Sequence, residues 1–324
     1  MICITGTKDI KLERTAIALG KFDGLHRGHQ ILIEKIKQYK SEGLKAVMFT
    51  FDFHPMALLR HRPVELIFTR EERRAWAEKR GIDVLVEFPF TEETSAMEAE
   101  DFVRDILVRD MDAKVIVAGE DFHFGHQRKG DVPLLKKMGA DLDFRVDVCK
   151  KLQIETEVYE DGRPTGKKMM RDISSTLIRE CIRRGDMEEA AKMLGVPFSV
   201  SGTVIKGRQL GRKLGMPTAN VVPPAHKIMP PNGVYSSCTL TGPYEYHSIT
   251  NIGLNPTVAD DNSKRMETYV YDFSGSLYGQ EIEVQLFRFE RPEMKFKDLD
   301  ALKNQIFRDK ARTMEYFGTQ ENRT

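Results

Sequence analysis

Cysteine is scarce in this chain. Four occur in 324 residues, at Cys3, Cys149, Cys181 and Cys238, and no two form a C-x-x-C pair. Their scatter argues against a structural zinc cluster and a disulfide framework, and it suits a reducing compartment. An excess of one charge is also missing. Lys and Arg number 50 against 49 Asp and Glu. No overall field therefore draws the chain to nucleic acid or to an anionic membrane, and neither is expected as a partner. No apolar run approaches the length that spans a bilayer. The opening MICITGTKDIKLER lacks the charged, apolar and cleavage regions of a signal peptide. A soluble, cytoplasmic protein is the expectation. A Walker A loop is absent too: neither GRPTGKK (162–168) nor GRQLGRKLG (207–215) places G-K-[ST] at the required spacing.

What is present falls into two halves. TAIALG (15–20), KAVMFTF (45–51), DVLVEF (83–88) and KVIVAG (114–119) are short apolar runs of strand type. Helical patterns lie between them. HQILIEKIKQYKSEG carries Leu32, Ile36 and Tyr39 at helical spacing and stops at Gly43. TREERRAWAEKRG opens with a capping box of Thr69 and Glu72. SAMEAEDFVRDILVRDM reads as a second box, Ser95 with Glu98, followed by Ala99, Phe102, Val103, Ile106 and Leu107 on one face. This alternation predicts an α/β domain: a parallel sheet with helices on both faces and ligands at the carboxyl ends of its strands.

Residues 173–195 read as two helices broken at Gly185, and helices then nearly vanish. Strand patterns follow at 199–207, 233–240, 247–253 and 267–273. In EIEVQLFRF (281–289), Ile282, Val284 and Leu286 alternate with Glu281, Glu283 and Gln285. A last helix starts at Asp298 and runs to about residue 317. A small antiparallel barrel or sandwich with a terminal helix is predicted. The boundary is placed near residue 186, giving domains 1–186 and 187–324.

Three stretches carry chemistry. GKFDGLHRGH (20–29) ends where a helix begins. Gly20 and Gly24 allow a sharp turn and a close approach to a ligand. The helix start offers unpaired N–H groups and partial positive charge, and Gly28 leaves room between His26 and His29. Phosphate binding, plain helix capping and metal ligation are all open readings, since His54, His61, His123 and His126 also lie in the first 126 residues. In ISSTLIR (173–179), Ser174 or Ser175 can cap a helix, and Arg179 can reach a phosphate one turn on; a Ser-capped helix with a solvated Arg is the plain alternative. GRQLGRKLGMPTAN (207–220) repeats glycine every four residues, at Gly207, Gly211 and Gly215, among Lys206, Arg208, Arg212 and Lys213. Such a backbone can wrap a polyphosphate, serve as a basic loop for RNA, or be a turn. Thr218 and Asn220 add oxygen donors suited to Mg²⁺.

Taken in order, these stretches resemble one family over essentially the whole chain, the bacterial bifunctional riboflavin kinase/FAD synthetases. GKFDGLHRGH, TFDFHP (50–55), GEDFHFG (119–125) and ISSTLIR are similar to the adenylyltransferase module. GRQLGRKLGMPTAN, GVY (233–235), NIGLNPT (251–257), ETYVYDFSGSLYG (267–279) and RPEMKF (291–296) are similar to the kinase module. The resemblance implies a Rossmann-like nucleotidyltransferase domain followed by a six-stranded flavokinase β-barrel. It implies that riboflavin and ATP give FMN, and that FMN and a second ATP give FAD and pyrophosphate. His26 and His29 would stabilise the transferring phosphate. Gly20, Phe22, Asp23, Gly24, Gly28, Asp121, Ser175, Thr176 and Arg179 would line that nucleotide site. Gly207, Gly211, Gly215 and Thr218 would hold the kinase ATP, Thr218 and Asn220 its Mg²⁺, Glu267 would be the base, and Arg291 would meet the flavin. Lys21, Phe53 and Tyr269 stand where the family more often has Asn, Pro and His.

Overall fold

The computed structural model describes residues 1–52, 64–160, 162–207, 216–254 and 264–321. They group into two compact units, Met1–Tyr159 with Pro164–Ser175, and Glu160–Arg163 with Thr176–Thr324.

The first unit is built on six strands: β1 (Ile2–Thr5), β2 (Thr15–Leu19), β3 (Lys45–Phe51), β4 (Val84–Phe88), β5 (Ala113–Gly119) and β6 (Arg145–Cys149). They run parallel in the order β1-β4-β3-β2-β5-β6. Successive residues of the central strands feed opposite faces, as strand geometry requires. Ile17, Leu19, Val47, Phe49 and Ile116 join one core cluster; Ala16, Ala18, Ala46, Met48 and Val117 join another. Helix α1 (Arg27–Gln38) brings Leu32, Ile33 and Ile36 to the second cluster. A π-helical stretch, Phe102–Asp110, and α3 (Val132–Leu142) cover the first cluster with Phe102, Val103, Ile106, Leu107 and Leu135. Helix α2 (Arg70–Lys79) opens with the expected reciprocal box of Thr69 and Glu72.

One expected box is displaced. Thr91 and Thr94 make it, opening the short turn Glu92–Ser95, and the Ser95 hydroxyl donates instead to the Glu92 carbonyl at 2.8 Å. The Ser95 N–H is already bonded to the Thr91 carbonyl, so Ser95 is inside a turn rather than at a start. Two edge strands, β1 and β6, and the hairpin β7 (Gln153–Glu160) with β8 (Arg163–Asp172) were not anticipated.

Helices α4 (Ser175–Arg184) and α5 (Met187–Leu194) are separated by Gly185, whose φ of 82° lies in the left-handed region. The second unit then closes into an antiparallel barrel: β9 (Phe198–Ile205), β10 (Thr218–Val221), β11 (Gly233–Thr241), β12 (Tyr244–Leu254), β13 (Lys264–Val270) and β14 (Glu281–Arg291), ordered β10-β13-β12-β11-β14-β9. Strand β10 begins at Thr218, inside the stretch that the sequence leaves open as a phosphate wrap, a basic loop or a turn. Buried hydroxyls tie strands together: Ser237 with Ser248 and Thr250 at 2.8 Å each, Thr239 with Ser248 at 2.9 Å, and Thr250 with Thr268 at 2.9 Å. Asp298 caps the terminal helix α6 (Leu299–Glu321), its carboxylate accepting the Ala301 N–H at 2.7 Å.

Arg291 at the end of β14 donates through Nε and Nη2 to Asp309 of α6, at 3.0 and 2.7 Å to Oδ2. The Asp309 side chain is 1% exposed and that of Arg291 12%. Removing the carboxylate strands a buried guanidinium, which costs about 3–5 kcal/mol. Asp309→Ala is therefore expected to lower the urea midpoint of the second unit, read by circular dichroism. The fluorescence transition of Trp76, the sole tryptophan and part of α2, should stay in place.

Candidate functional site

Strand β2 is where the strand order of the first sheet reverses. The chain passes from β2 through α1 to β3 and on to β4 on one side, then crosses to β5 on the other side of β2. The crevice beyond the carboxyl ends of β2 and β5 is thus the switch point at which such sheets bind ligands. GKFDGLHRGH leaves β2 there, and GEDFHFG leaves β5.

The loop after β2 is wound tightly. Phe22, Gly24 and Leu25 have φ of 48°, 82° and 43°. A left-handed conformation disfavours bulky residues. Here both bulky side chains are wholly buried, Phe22 at 0% and Leu25 at 1% exposure, and their burial offsets the strain. Asp23 is buried and its Oδ1 accepts the Ile67 N–H at 3.0 Å. The Gly20 N–H donates to the Phe49 carbonyl, which ties the loop to β3.

His26 is the N-cap of α1, and its Nδ1 accepts the His29 N–H at 3.4 Å. The capping reading is thus correct, and it does not exhaust the site. A neutral His26 that accepts at Nδ1 carries its proton on Nε2, as a donor. The two imidazoles stack, with ring centroids 3.7 Å apart and planes 19° from parallel. Gly28 lies against the stack, and a Cβ there would meet the His26 ring at a tight 3.2 Å. The Nδ1 of His29 is buried with no hydrogen-bond partner. Burial pushes His26 down to about 4; burial, and then the adjacent His26, hold His29 well below its ordinary value. At neutral pH the site therefore presents two uncharged imidazoles beside the free N–H groups of a helix start.

The other expected residues divide. The Ser175 hydroxyl donates to the Asp23 carbonyl at 2.8 Å, which brings the start of α4 to the β2 loop. Further along α4, Thr176 is exposed and Arg179 half-buried. Asp121, after β5, is ion-paired to Lys151 at 2.9 Å. Lys151 was not singled out from the sequence, where it is one lysine beyond a strand. The histidines do not converge: His123 Nδ1 lies 2.9 Å from the Asp121 carbonyl and His126 Nδ1 3.4 Å from that of Ser95. Among the described residues no group of three His, Cys, Asp or Glu is placed to hold a metal. Phe53, His54, Pro55 and His61 lie outside the described residues.

In the second unit a cleft of about 90 Å³ is lined by Val204, Gly207, Thr218, Asn220, Phe273 and Tyr278, among others. Asn220 is buried and its Oδ1 has no partner, while its Nδ2 donates to the Thr218 carbonyl at 3.4 Å. A Cβ on Gly207 would sit 2.5 Å from the Asn220 carboxamide, so a larger residue there would displace that side chain. Glu267 of β13 is directly opposite Asn220 of β10 and Asn251 of β12. Opposed residues of antiparallel strands share a face, so the carboxylate stands between two carboxamides. Arg291, expected at the flavin, is engaged by Asp309 and donates to the Pro292 carbonyl at 3.0 Å. Phe273 and Tyr278 belong to ETYVYDFSGSLYG (267–279), and cleft lining by a loop leaves no periodic signal there. Gly211 and Gly215 lie outside the described residues.

The family model for FAD synthetase matches residues 8–161, and that for riboflavin kinase matches residues 194–317. The bifunctional riboflavin kinase/FMN adenylyltransferase of Buchnera aphidicola subsp. Schizaphis graminum is 34% identical over 326 residues, 98% of this chain and 99% of that protein. The enzyme of the same name from Escherichia coli K12 is 34% identical over 310 residues, 94% of each. The chain belongs to the bifunctional riboflavin kinase/FMN adenylyltransferase family. Its two modules stand in the order that the resemblance implied, each with the expected fold: a parallel α/β sheet, then a closed six-stranded barrel with a terminal helix. A solved structure of a macrolide-efflux protein from Streptococcus pneumoniae is also similar, with a TM-score of 0.80 at 30% identity over 97% of this chain and 98% of that one. No described helix of this family member is long and apolar enough to cross a membrane.

The imidazole pair gives this chain a pH signature. His26 titrates near 4 when folded, against 6.5 as a model group. Below 6.5 the unfolded chain takes up the proton first, so stability falls as the pH drops toward 4. For His26 alone the loss is on the order of 3 kcal/mol. The Trp76 urea transition should move down across that window, and His26→Gln should flatten the slope.

Proposed function

We propose that the second unit transfers the γ-phosphoryl group of ATP to the ribityl 5′-hydroxyl of riboflavin, giving FMN. The first unit then joins FMN to the AMP portion of a second ATP, giving FAD and pyrophosphate. The observation that carries this reading is the coincidence of two family matches with two differently built polar sites, one in each matched unit. We divide the activities near residue 186, within the interval that neither family model spans. The four cysteines are free thiols, which supports a reducing, cytoplasmic location.

In the first reaction of this scheme the nucleophile is a primary hydroxyl, which gains from a carboxylate that removes its proton. Glu267 takes that role. Gly207 and Thr218 line the nucleotide cleft beside it. The unpartnered, buried Oδ1 of Asn220 is a hard oxygen donor that fits Mg²⁺, with Thr218 beside it on the same face of β10. A cation bound there supplies charge neutralisation for the ATP phosphates. Arg291, by pairing with Asp309, serves the flavin side by holding α6 against β14.

In the second reaction the FMN phosphate is already an anionic nucleophile, so no strong base is required. A phosphate oxygen attacks the α-phosphorus of ATP and the bond to pyrophosphate breaks. Charge grows on the phosphate oxygens, and donors fixed in advance stabilise it. The N–H groups at the start of α1 and the His26 Nε2–H are such donors. His29 stacks behind them, and Ser175, Thr176 and Arg179 supply the second anion-binding stretch. Asp121 holds its place at the mouth of the crevice, where the β5 loop begins.

Chromatography of products from riboflavin plus ATP, repeated with FMN plus ATP, tests the scheme. Glu267→Ala should slow FMN formation by about 10²–10⁴-fold and leave conversion of supplied FMN to FAD intact. His29→Ala should do the reverse, slowing FAD formation by about 10²–10³-fold. Equal loss of both steps in either variant would overturn the assignment of two independent sites.

A further inference from the structure

The segments that meet beyond the carboxyl ends of β2 and β5 are tied into a closed circuit, and one side chain provides its ionic link. Lys151 follows β6. Its Nζ lies 2.9 Å from Asp121 Oδ2, in the loop after β5, and 3.2 Å from Asp172 Oδ2, at the end of β8. Its N–H donates to Glu120 Oε1 at 3.0 Å. Gln153 Nε2 donates to Asp172 Oδ1 at 3.0 Å, and the Ile173 N–H donates to the Leu152 carbonyl at 2.8 Å. Three residues after Asp172, the Ser175 hydroxyl donates to the Asp23 carbonyl in the loop after β2. Strands β2 and β5 are hydrogen-bonded neighbours, which closes the circuit.

We infer that Lys151 is a positioning residue for adenylyl transfer: it bridges Asp121 and Asp172 and so fixes the β5 loop relative to the Ser175 end of the second phosphate-binding stretch. This rests on the adenylyl-transfer reading above. The two carboxylates keep the ammonium charged, Asp121 being the stronger partner. The Lys151 side chain is 37% exposed, so the bridge is not part of the apolar core. Its work is orientation. Loops around a reacting phosphorus that drift by an ångström lose rate steeply.

Steady-state kinetics of FAD formation from FMN and ATP test this, with riboflavin phosphorylation assayed in the same preparations. Lys151→Met is expected to lower kcat for FAD formation about 10-fold, and Asp172→Asn to act in the same direction. Lys151→Arg should recover most of the rate, and phosphorylation of riboflavin should be unchanged throughout. The double variant Lys151→Met/Asp172→Asn restores the net charge of the cluster without restoring the bridge, and it should remain as slow as Lys151→Met. Recovery in the double variant would replace positioning by simple charge repulsion and overturn the inference. So would an unchanged rate in Lys151→Met, or an equal fall in both activities. Failure of the unaltered protein to make FAD would overturn the adenylyl-transfer reading and this inference with it. An unaltered protein that makes FAD, beside a fully active Lys151→Met, would overturn this inference alone.

Discussion

Desolvation of the His26–His29 stack is the constraint on which the proposed chemistry of the first unit turns. Two imidazoles 3.7 Å apart cannot both carry charge in a buried setting without an anion to answer them. They are kept neutral, and they stand beside a helix start whose His29 N–H is taken up by His26 Nδ1. A polyphosphate would find fixed donors and no competing counterion. The tight loop, the glycine at position 28 and the burial of Phe22 and Leu25 all serve to keep those rings in that place.

The two units build their candidate sites in opposite ways. A parallel sheet ends in a row of loops, and the reversal at β2 opens a crevice among them. A closed barrel has no open sheet edge and no such crevice. The second unit instead uses a cleft between β10 and the loop after β13, with Asn220, Glu267 and Asn251 aligned across three strands. The charged groups that are fully buried, such as Glu87 between Arg73 and Arg74, hold architecture together by pairing.

Periodicity made the central strands readable, because β2 to β5 are apolar on both faces, and it made α1 and α2 readable through their apolar stripes and the Thr69 box. It failed at β1 and β6. Both are short edge strands: Ile2–Thr5 is a four-residue apolar run left mostly exposed, and Arg145–Cys149 alternates over only five residues. It also failed at Ser95, which lies inside a separate turn, Glu92–Ser95, while the next helical stretch starts at Ala99 with Glu98 as an N-cap that makes no side-chain hydrogen bond. For the candidate sites, glycine and histidine spacing drew attention to the loop after β2, and the family resemblance drew attention to Asn220 and Glu267, which the fold sets opposite each other. The Lys151 bridge was invisible, since it joins residues 30 and 21 positions apart in the chain by side chains that obey no local rule. Arg291 shows the converse: a motif points to the residue, and the fold gives it a buried partner 18 positions away.

The hydroxyls of Ser237, Thr239, Ser248, Thr250 and Thr268 have a consequence for fidelity of assembly. Each finds its partner on a neighbouring or adjoining strand only when the strands are aligned as they are. A one-residue slip of β13 would turn Thr268 outward and carry Glu267 into a place lined by oxygen atoms with no cation to meet it. The same inner ring that proofreads the barrel thereby decides which way the carboxylate faces.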